Sequence, residues 1–429
     1  MNKITFLIIL SLYPCFQFSS LYAGSSGYSA KLSACGQLPL PGTNEKDLPG
    51  PLAGHNLNNH PVPVSSKVKI RILTDLKSEY LLFSVTAGEY DFEYGSDSSF
   101  RVYPGDNIII ARYDGRLAVK TRGTAGQIVD SLIIRGLTGN DYFSLRTYET
   151  DQVSRNFSGD LYCFPDMETI LLINDCDLDR YIAGVVKAEG GNGKTREYFK
   201  TQAVIARTYT YKYFNKHIND RFNLCDDIHC QAFDGITSDS IITNAVNDTR
   251  DLVIATPDSC LIMSAFHSNC GGETAPSQYV WLTSQPYLLK VIDPFCLKSR
   301  SATWRKMISL KEWKELLERN GYKDESQDDS VFNFKQSARV PDYKAGSFVL
   351  PLRIIRSELD LRSTFFSVFI YGDSVILDGR GYGHGVGLCQ EGAMEMSMEG
   401  FTFRDIIRFY YPGVSIINIQ GAKKTEDEK

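Results

Sequence analysis

The segment GRGYGHGVG, residues 379–387, carries glycine at every second position. In an extended chain successive side chains point to opposite faces, so this alternation leaves one backbone face bare and sets Arg380, Tyr382, His384 and Val386 on the other. A bare face allows another chain or a ligand to approach the main chain closely. The alternation is too long to be casual and signals an unusual backbone requirement, without naming a reaction. It lacks the Gly-Lys-Ser/Thr ending of a phosphate loop and the glycine spacing of a dinucleotide fingerprint, which argues against nucleotide binding. His384 is open to three readings: a base, a ligand, or a hydrogen-bonded structural histidine.

The chain around this segment has 429 residues, more than one typical core supports, so two or more packed modules are expected. Hydrophobic residues at 43% and charged residues at 23% are globular proportions. Formal net charge is −5 with Lys and Arg scattered, which excludes the basic stripe of a nucleic-acid binder. Tyr and Phe, 24 of each, suit either β-rich cores or sugar-stacking surfaces. At the start, MNKITFLIILSLYPCFQFSSLYAG combines Lys3, an apolar run over Ile4–Leu12 and the small Ala23, the pattern of an export signal over residues 1–23. Pro14 stands where a lipoprotein signal ahead of Cys15 wants a small residue. No later apolar run is long enough to span a bilayer, so an extracytoplasmic location without a membrane span is expected.

Residues 24–66 are rich in Gly, Ser, Pro and Asn and read as a linker. From 67 to 172, short alternating pieces such as VKIRIL, YLLFSV and NIIIARY, separated by turn residues, predict a run of strands. Between Asp177 and Lys216 the period becomes helical, broken at Gly190–Gly193. Mixed short strands to about residue 300 lead to a helix at SLKEWKELLERNG and a strand-like return at SFVLPLRIIRSE and TFFSVFIYGDSVIL. A last helix begins with the capping-box-like TFRD at 402–405 and stops at Pro412. Residues 420–429 read as a disordered tail. The fold class is α+β: a β-rich N-terminal module at 67–172 packed on a mixed helix and strand region at 173–419.

In DLDRYIAGVVKAEGG, Leu178, Tyr181, Ile182, Val185 and Val186 share one helical face, and the next position in that series is Glu189. A carboxylate thus falls in register with the buried stripe and in the last turn, where the helix dipole disfavours negative charge. Both effects raise its pKa, as a general acid at neutral pH requires; the bland reading is a glutamate that reaches water at a helix end. On the following helix, Phe199, Ala203, Ala206, Thr210 and Tyr213 trace a face, while Gln202 and Arg207 are candidates for ligand contacts in the groove between the helices, unless Arg207 is a surface residue.

Nine of the ten cysteines lie beyond the signal, in a compartment where disulfides form. Cys270 with Cys296 and Cys163 with Cys176 are possible bridges. The stretch from His217 through Cys225 to Cys230 offers an imidazole and two thiols, with His229 as an alternative, a donor mixture that zinc accepts. A Cys225–Cys230 disulfide is the rival reading.

Six blocks in order, YIAGVVKAEGG at 181–191, KTQAVIARTYTY at 200–211, FHSNCGGET at 266–274, LRSTFF at 361–366, GRGYGHGVGLCQEGA at 379–393 and FYYPG at 409–413, resemble the SpoIID/LytB family. The resemblance implies a peptidoglycan-acting protein, similar to sporulation lytic transglycosylases that cleave MurNAc–GlcNAc bonds of peptide-stripped glycan strands. It places the family's catalytic glutamate on Glu189. It also implies a substrate-binding set of Gln202, Arg207, His267, Arg380, Tyr382, His384 and Gln390. Arg207 or Arg380 would meet the free lactyl carboxylate of a stripped muramyl sugar. Zinc at His217, Cys225 and Cys230, as in some members, would be structural, and the chemistry needs no cofactor. Gly190 stands where the family often has methionine, and Cys389 where serine is common. Glu273 is the nearest rival carboxylate. Two other functions stay open: a non-catalytic enhancer of a cell-wall amidase, and a glycan-binding scaffold.

Overall fold

The computed structural model describes residues 65–420, apart from 77–78, 95–97, 122–125, 148–152, 192 and 324–327. The export signal, nearly all of the linker and the tail lie outside the described residues.

The first part of the chain forms two antiparallel sheets. Strands Lys67–Arg71, Tyr90–Tyr94, Ser98–Val102, Leu132–Gly136, Asp160–Pro165 and Ile170–Asp177 belong to a seven-stranded sheet. Its seventh strand, the two-residue Leu224–Cys225, pairs in parallel with Lys67–Arg71 and comes from the second half of the chain. The other sheet has six strands in the order Ser154–Ser158, Tyr142–Thr147, Tyr80–Ala87, Asn107–Tyr113, Arg116–Thr121 and Gln127–Val129. Alternation does the sorting: Val68 and Ile70 are buried while Lys67 and Lys69 are exposed. Phe83 and Phe143 of the six-stranded sheet stack at 4.9 Å, and Phe83 meets Tyr90 and Phe92 of the other edge-on at 5.6 and 5.2 Å, so aromatic rings join the two inner faces.

Strand Ile170–Asp177 runs directly into helix α1 (Leu178–Glu189), whose first turn is capped by the Asp177 carboxylate accepting from Arg180 N at 3.0 Å. Helix α2 (Arg196–Lys212) starts at Thr195, whose hydroxyl accepts from Tyr198 N. Then follow α3 (Ser240–Asp248), α4 (Gln278–Trp281), α5 (Leu310–Arg319), α6 (Leu352–Glu358), α7 (Gln390–Met398) and α8 (Phe403–Tyr410). The capping box at Thr402 and Asp405 forms as the sequence predicts. The strand-like return at SFVLPLRIIRSE does not hold throughout: Phe348–Pro351 is a strand, but Pro351 starts helix α6. Proline is at home at a helix start, and Leu352 and Ile355, three apart, bury one helical face.

The glycine segment is also not an extended strand. The strand Ser374–Arg380 ends at its beginning, and Gly381, Gly383, Gly385 and Gly387 all have positive φ, at 78°, 105°, 83° and 72°. The alternation therefore encodes a left-handed residue at every second position. The close approach does occur: a Cβ on Gly387 would lie 2.1 Å from the carbonyl oxygen of Ala265, and one on Gly381 would lie 2.6 Å from that of Asn269. Asn269 and Tyr382 exchange main-chain hydrogen bonds at 3.0 and 2.8 Å.

Two hydrophobic cores result. The larger runs from the N-terminal sheets through α1, α2 and α3 to α7 and α8. The smaller lies within residues 304–377, around Trp313, Leu316, Tyr343, Val368 and Leu377. Among the described residues, no helix is long and apolar enough to cross a membrane.

Candidate functional site

The apolar stripe of α1 packs Tyr181 against Phe233 at 5.0 Å and carries Glu189 to the last turn. One carboxyl oxygen of Glu189 accepts from Ala232 N at 2.8 Å; the other has no partner among the described residues. Burial pushes the Glu189 pKa up and the nearby Asp234 adds to this, while the Ala232 N–H opposes it. The helix end is pinned from two sides. Tyr198 on α2 donates its hydroxyl to Gly190 O at 2.9 Å, and Gln390, the first residue of α7, donates its side-chain amide to Glu189 O at 2.7 Å. The end of the glycine segment and the end of α1 are thus joined through the main chain of the glutamate, leaving its carboxyl free of that contact.

Other predicted site residues separate into distinct surroundings. His267 and His384 face each other with ring centroids 5.6 Å apart, and Trp281 lies 5.4 Å from His384. The His267 Nδ1 hydrogen bonds to Val386 O at 3.1 Å, and its buried Nε2 has no partner among the described residues. Burial pushes His384 down to about 4, helped by the Arg356 charge, so both imidazoles are neutral near pH 7. His384 Nδ1 accepts from Val386 N at 3.1 Å. Tyr382 is exposed beside Arg362. Arg380 lies over the Phe365 ring at 3.7 Å and donates to Gln336 O and Ser337 O. Gln202 is buried, with its amide nitrogen unpartnered among the described residues.

Arg207 departs from both of its sequence readings. It is 1% exposed and donates to Asp179 at 3.1 Å and to Thr249 O at 2.7 Å, so its guanidinium closes the C-terminal end of α3 rather than meeting solvent or a ligand. Glu273 is likewise engaged, with Lys290 at 3.0 Å and Arg339 N at 2.9 Å. Ala232 and Asp234, which face Glu189, carry no sequence signal of their own. Neither does Arg339, whose buried guanidinium binds Glu273 O and Cys270 O. A cavity of about 570 Å³ lies at the opposite end of α1, lined by Asp177, Asp179, Arg180 and Arg250 among others.

His217, Cys225, His229 and Cys230 bring one ligand atom each within 4.8 Å of the others. Cys230 Sγ is 3.5 Å from His217 Nε2, and Cys225 Sγ is 3.6 Å from His229 Nδ1. Two thiols and two imidazoles are a donor set that fits a tetrahedral metal ion, with His229 joining the three predicted ligands. No disulfide joins Cys225 to Cys230, Cys270 to Cys296 or Cys163 to Cys176. Cys163 pairs in register with Leu172 and Cys176 with Val68, which keeps that pair apart. A second group, Cys270, Asp293, Cys296 and Cys389, gathers in the same way.

A sequence model described as SpoIID, Stage II sporulation protein, matches residues 166–255. The chain is 30% identical over 267 residues to Stage II sporulation protein D of Bacillus subtilis (strain 168), covering 57% of this chain and 75% of that protein, and equally similar to the protein of the same name from Bacillus amyloliquefaciens. An uncharacterized protein of Brachyspira hyodysenteriae is 26% identical over 359 residues, 82% of this chain and 93% of its own. A protein named Amidase enhancer, from Bacillus subtilis, is 25% identical over 288 residues, 55% of this chain and 40% of its own.

Proposed function

The chain belongs to the SpoIID family of cell-wall proteins, and from that premise we propose that it is an exported lytic transglycosylase whose general acid is Glu189. The observation that carries this reading is the partly buried carboxyl at the end of α1, raised in pKa by desolvation and oriented by a single main-chain N–H. Protonated Glu189 donates its proton to the oxygen linking N-acetylmuramic acid to N-acetylglucosamine, and the C1–O bond breaks through an oxocarbenium-like state. The muramyl 6-hydroxyl then bonds to C1, its proton returns to Glu189, and a 1,6-anhydro end results. This sequence needs no second carboxylate to activate water, consistent with Glu273 being tied to Lys290 and Arg339. Peptide-stripped glycan strands are the substrate, and the peptidoglycan outside the cell membrane is the place of action.

The fit of two imidazoles and two thiols supports zinc at His217, Cys225, His229 and Cys230. Bound there, it would crosslink the chain just before Ala232, which orients Glu189, and would take no part in bond cleavage. The likeness to a protein named Amidase enhancer favours a second reading, in which the chain binds wall and stimulates an amidase.

Product analysis on amidase-treated peptidoglycan separates the two. Anhydro-muramyl ends are expected from the wild type, falling about 10²–10⁴-fold in Glu189→Gln. Equal release by both proteins would remove Glu189 from the chemistry. No release from stripped strands, with faster cleavage by an added amidase, would establish the enhancer reading.

A further inference from the structure

We propose that Cys270, Asp293, Cys296 and Cys389 form a second metal site, one that holds a structural Zn²⁺ through three thiolates and a carboxylate. Their ligand atoms all lie within 4.8 Å of one another, and all four residues are at most 1% exposed. Cys270 Sγ is 3.4 Å from Cys296 Sγ and 3.2 Å from an Asp293 carboxyl oxygen. The edges of a tetrahedral zinc site with such ligands are roughly 3.6–3.8 Å, so a small expansion accommodates the ion.

The surroundings are those of bound thiolates. Cys389 Sγ accepts from Cys270 N at 3.3 Å and from Gly392 N at 3.4 Å, the latter at the N-terminus of α7. Gly271 and Gly272, both at positive φ, turn the main chain beside Cys270, and Gly271 N is held by Asn269 Oδ1 at 2.7 Å. Asp293 is fixed by the Tyr410 hydroxyl at 2.9 Å on one oxygen and Phe295 N at 2.9 Å on the other. Such outer contacts orient metal ligands and spread their charge. Gly392 is part of the same packing, because a Cβ there would lie 2.4 Å from an Asp293 oxygen and 2.2 Å from the Tyr410 hydroxyl.

Charge and counting both favour a cation over a disulfide. Among the described residues Asp293 makes no ion pair with a Lys or Arg, and a carboxyl buried to this degree must either take up a proton or gain a positive partner, which a bound cation supplies. A disulfide between any two of the sulfurs would leave the third thiol and Asp293 buried without one. Thiolates select zinc over hard cations such as magnesium or calcium. Binding releases the thiol protons to solvent, and the Arg339 guanidinium, donating to Cys270 O at 2.7 Å, offsets part of the remaining negative charge. The ion would tie the FHSNCGGET loop to the start of α7, from which Gln390 reaches the main chain of Glu189.

Zinc per chain, measured by inductively coupled plasma mass spectrometry on the purified mature protein, tests this. Two equivalents are expected in the wild type, one in Cys389→Ser, one in Cys225→Ser and none in the double variant. A single wild-type equivalent that survives Cys389→Ser and disappears in Cys225→Ser overturns the proposal, as does a Cys270–Cys296 disulfide in peptides of the natively exported protein. Should Cys389→Ser be insoluble, the Cys225→Ser, Cys230→Ser chain leaves the second site intact. It is expected to bind one Co²⁺ with thiolate-to-cobalt charge-transfer absorption, and no such band overturns the assignment. None of these readouts depends on glycan cleavage, so loss of the Glu189 mechanism would leave the metal result standing.

Discussion

At Glu189 the burial that raises the carboxyl pKa also works against the fold. Its folded pKa is raised above the ordinary glutamate value of 4.5, so the folded chain holds that proton more tightly than the unfolded one. The resulting stability is fully present below pH 4.5 and is lost as pH rises through the raised folded value. Glu189→Gln keeps an oxygen for Ala232 N–H and removes the charge. It should therefore melt with the wild type at low pH and above it at neutral pH; a lower melting temperature at pH 7 would mean the carboxylate is stabilised there. On the proposed mechanism, wild-type kcat/KM for stripped glycan falls as pH rises through the same raised pKa, and a flat profile over that range would count against a Glu189 acid. The register of Glu189 with Tyr181, Ile182, Val185 and Val186 is a local, 3.6-residue property, which is why it is legible in the sequence. Its partner Ala232 lies 43 positions away and is brought in by a loop with no periodicity to read. Arg207 failed as a ligand candidate for a related reason. The partners that bury it come largely from the C-terminal end of α3, a nine-residue helix that the turn-rich text around it does not announce.

Among the elements, the glycine segment shows how one pattern can serve two conformations. Period-two glycine describes a bare-faced strand, but it describes equally a chain that turns left-handed at alternate residues, and only the crossing main chain of residues 265–271 selects the second. Gly387→Ala should cost about 1–2 kcal/mol from the left-handed backbone alone, and more from the displaced Ala265 carbonyl. Denaturant unfolding would measure it, and a cost below about 0.5 kcal/mol would show that the segment is not held in this form. The α1–α2 pair tells the opposite story, because cap residues Asp177 and Thr195, apolar stripe and glycine break all agree at the level of local sequence. The buried Arg207 of α2 holds the pair together by bridging to Asp179 of α1, and ties it to α3 by donating to Thr249 O and Val246 O. Arg207→Ala leaves Asp179 paired with Arg250 but strips Thr249 O and Val246 O of a buried donor, and a loss of about 1–3 kcal/mol is expected. A variant of unchanged stability that has lost only glycan binding would restore Arg207 to the ligand-facing role.

On the scale of the whole molecule, the division into β-rich and mixed parts follows from a change of period that any reader of the sequence meets near Asp177, whereas the division into two cores does not. The first core recruits strands from Lys67 onward together with helices as late as α8, and Leu224–Cys225 even completes a sheet begun at Lys67. Such long-range pairing leaves no mark on local composition. The second core is confined to residues 304–377, yet its strand Ser374–Arg380 leads straight into the glycine segment that belongs to the first. Damage to the second core should therefore reach the first through that strand and through Arg339, whose guanidinium binds Glu273 O and Cys270 O. Trp313 is fully buried and meets Tyr343 edge-on at 5.4 Å, so Trp313→Ala should cost about 3–5 kcal/mol. Hydrogen exchange is expected to quicken across Thr303–Ser309, α5 and Phe366–Tyr371 while the strands between Lys67 and Asp177 keep their protection. Equal loss of protection in those N-terminal strands would show that the two cores unfold as one cooperative unit, with the glycine segment and Arg339 transmitting the strain from one to the other.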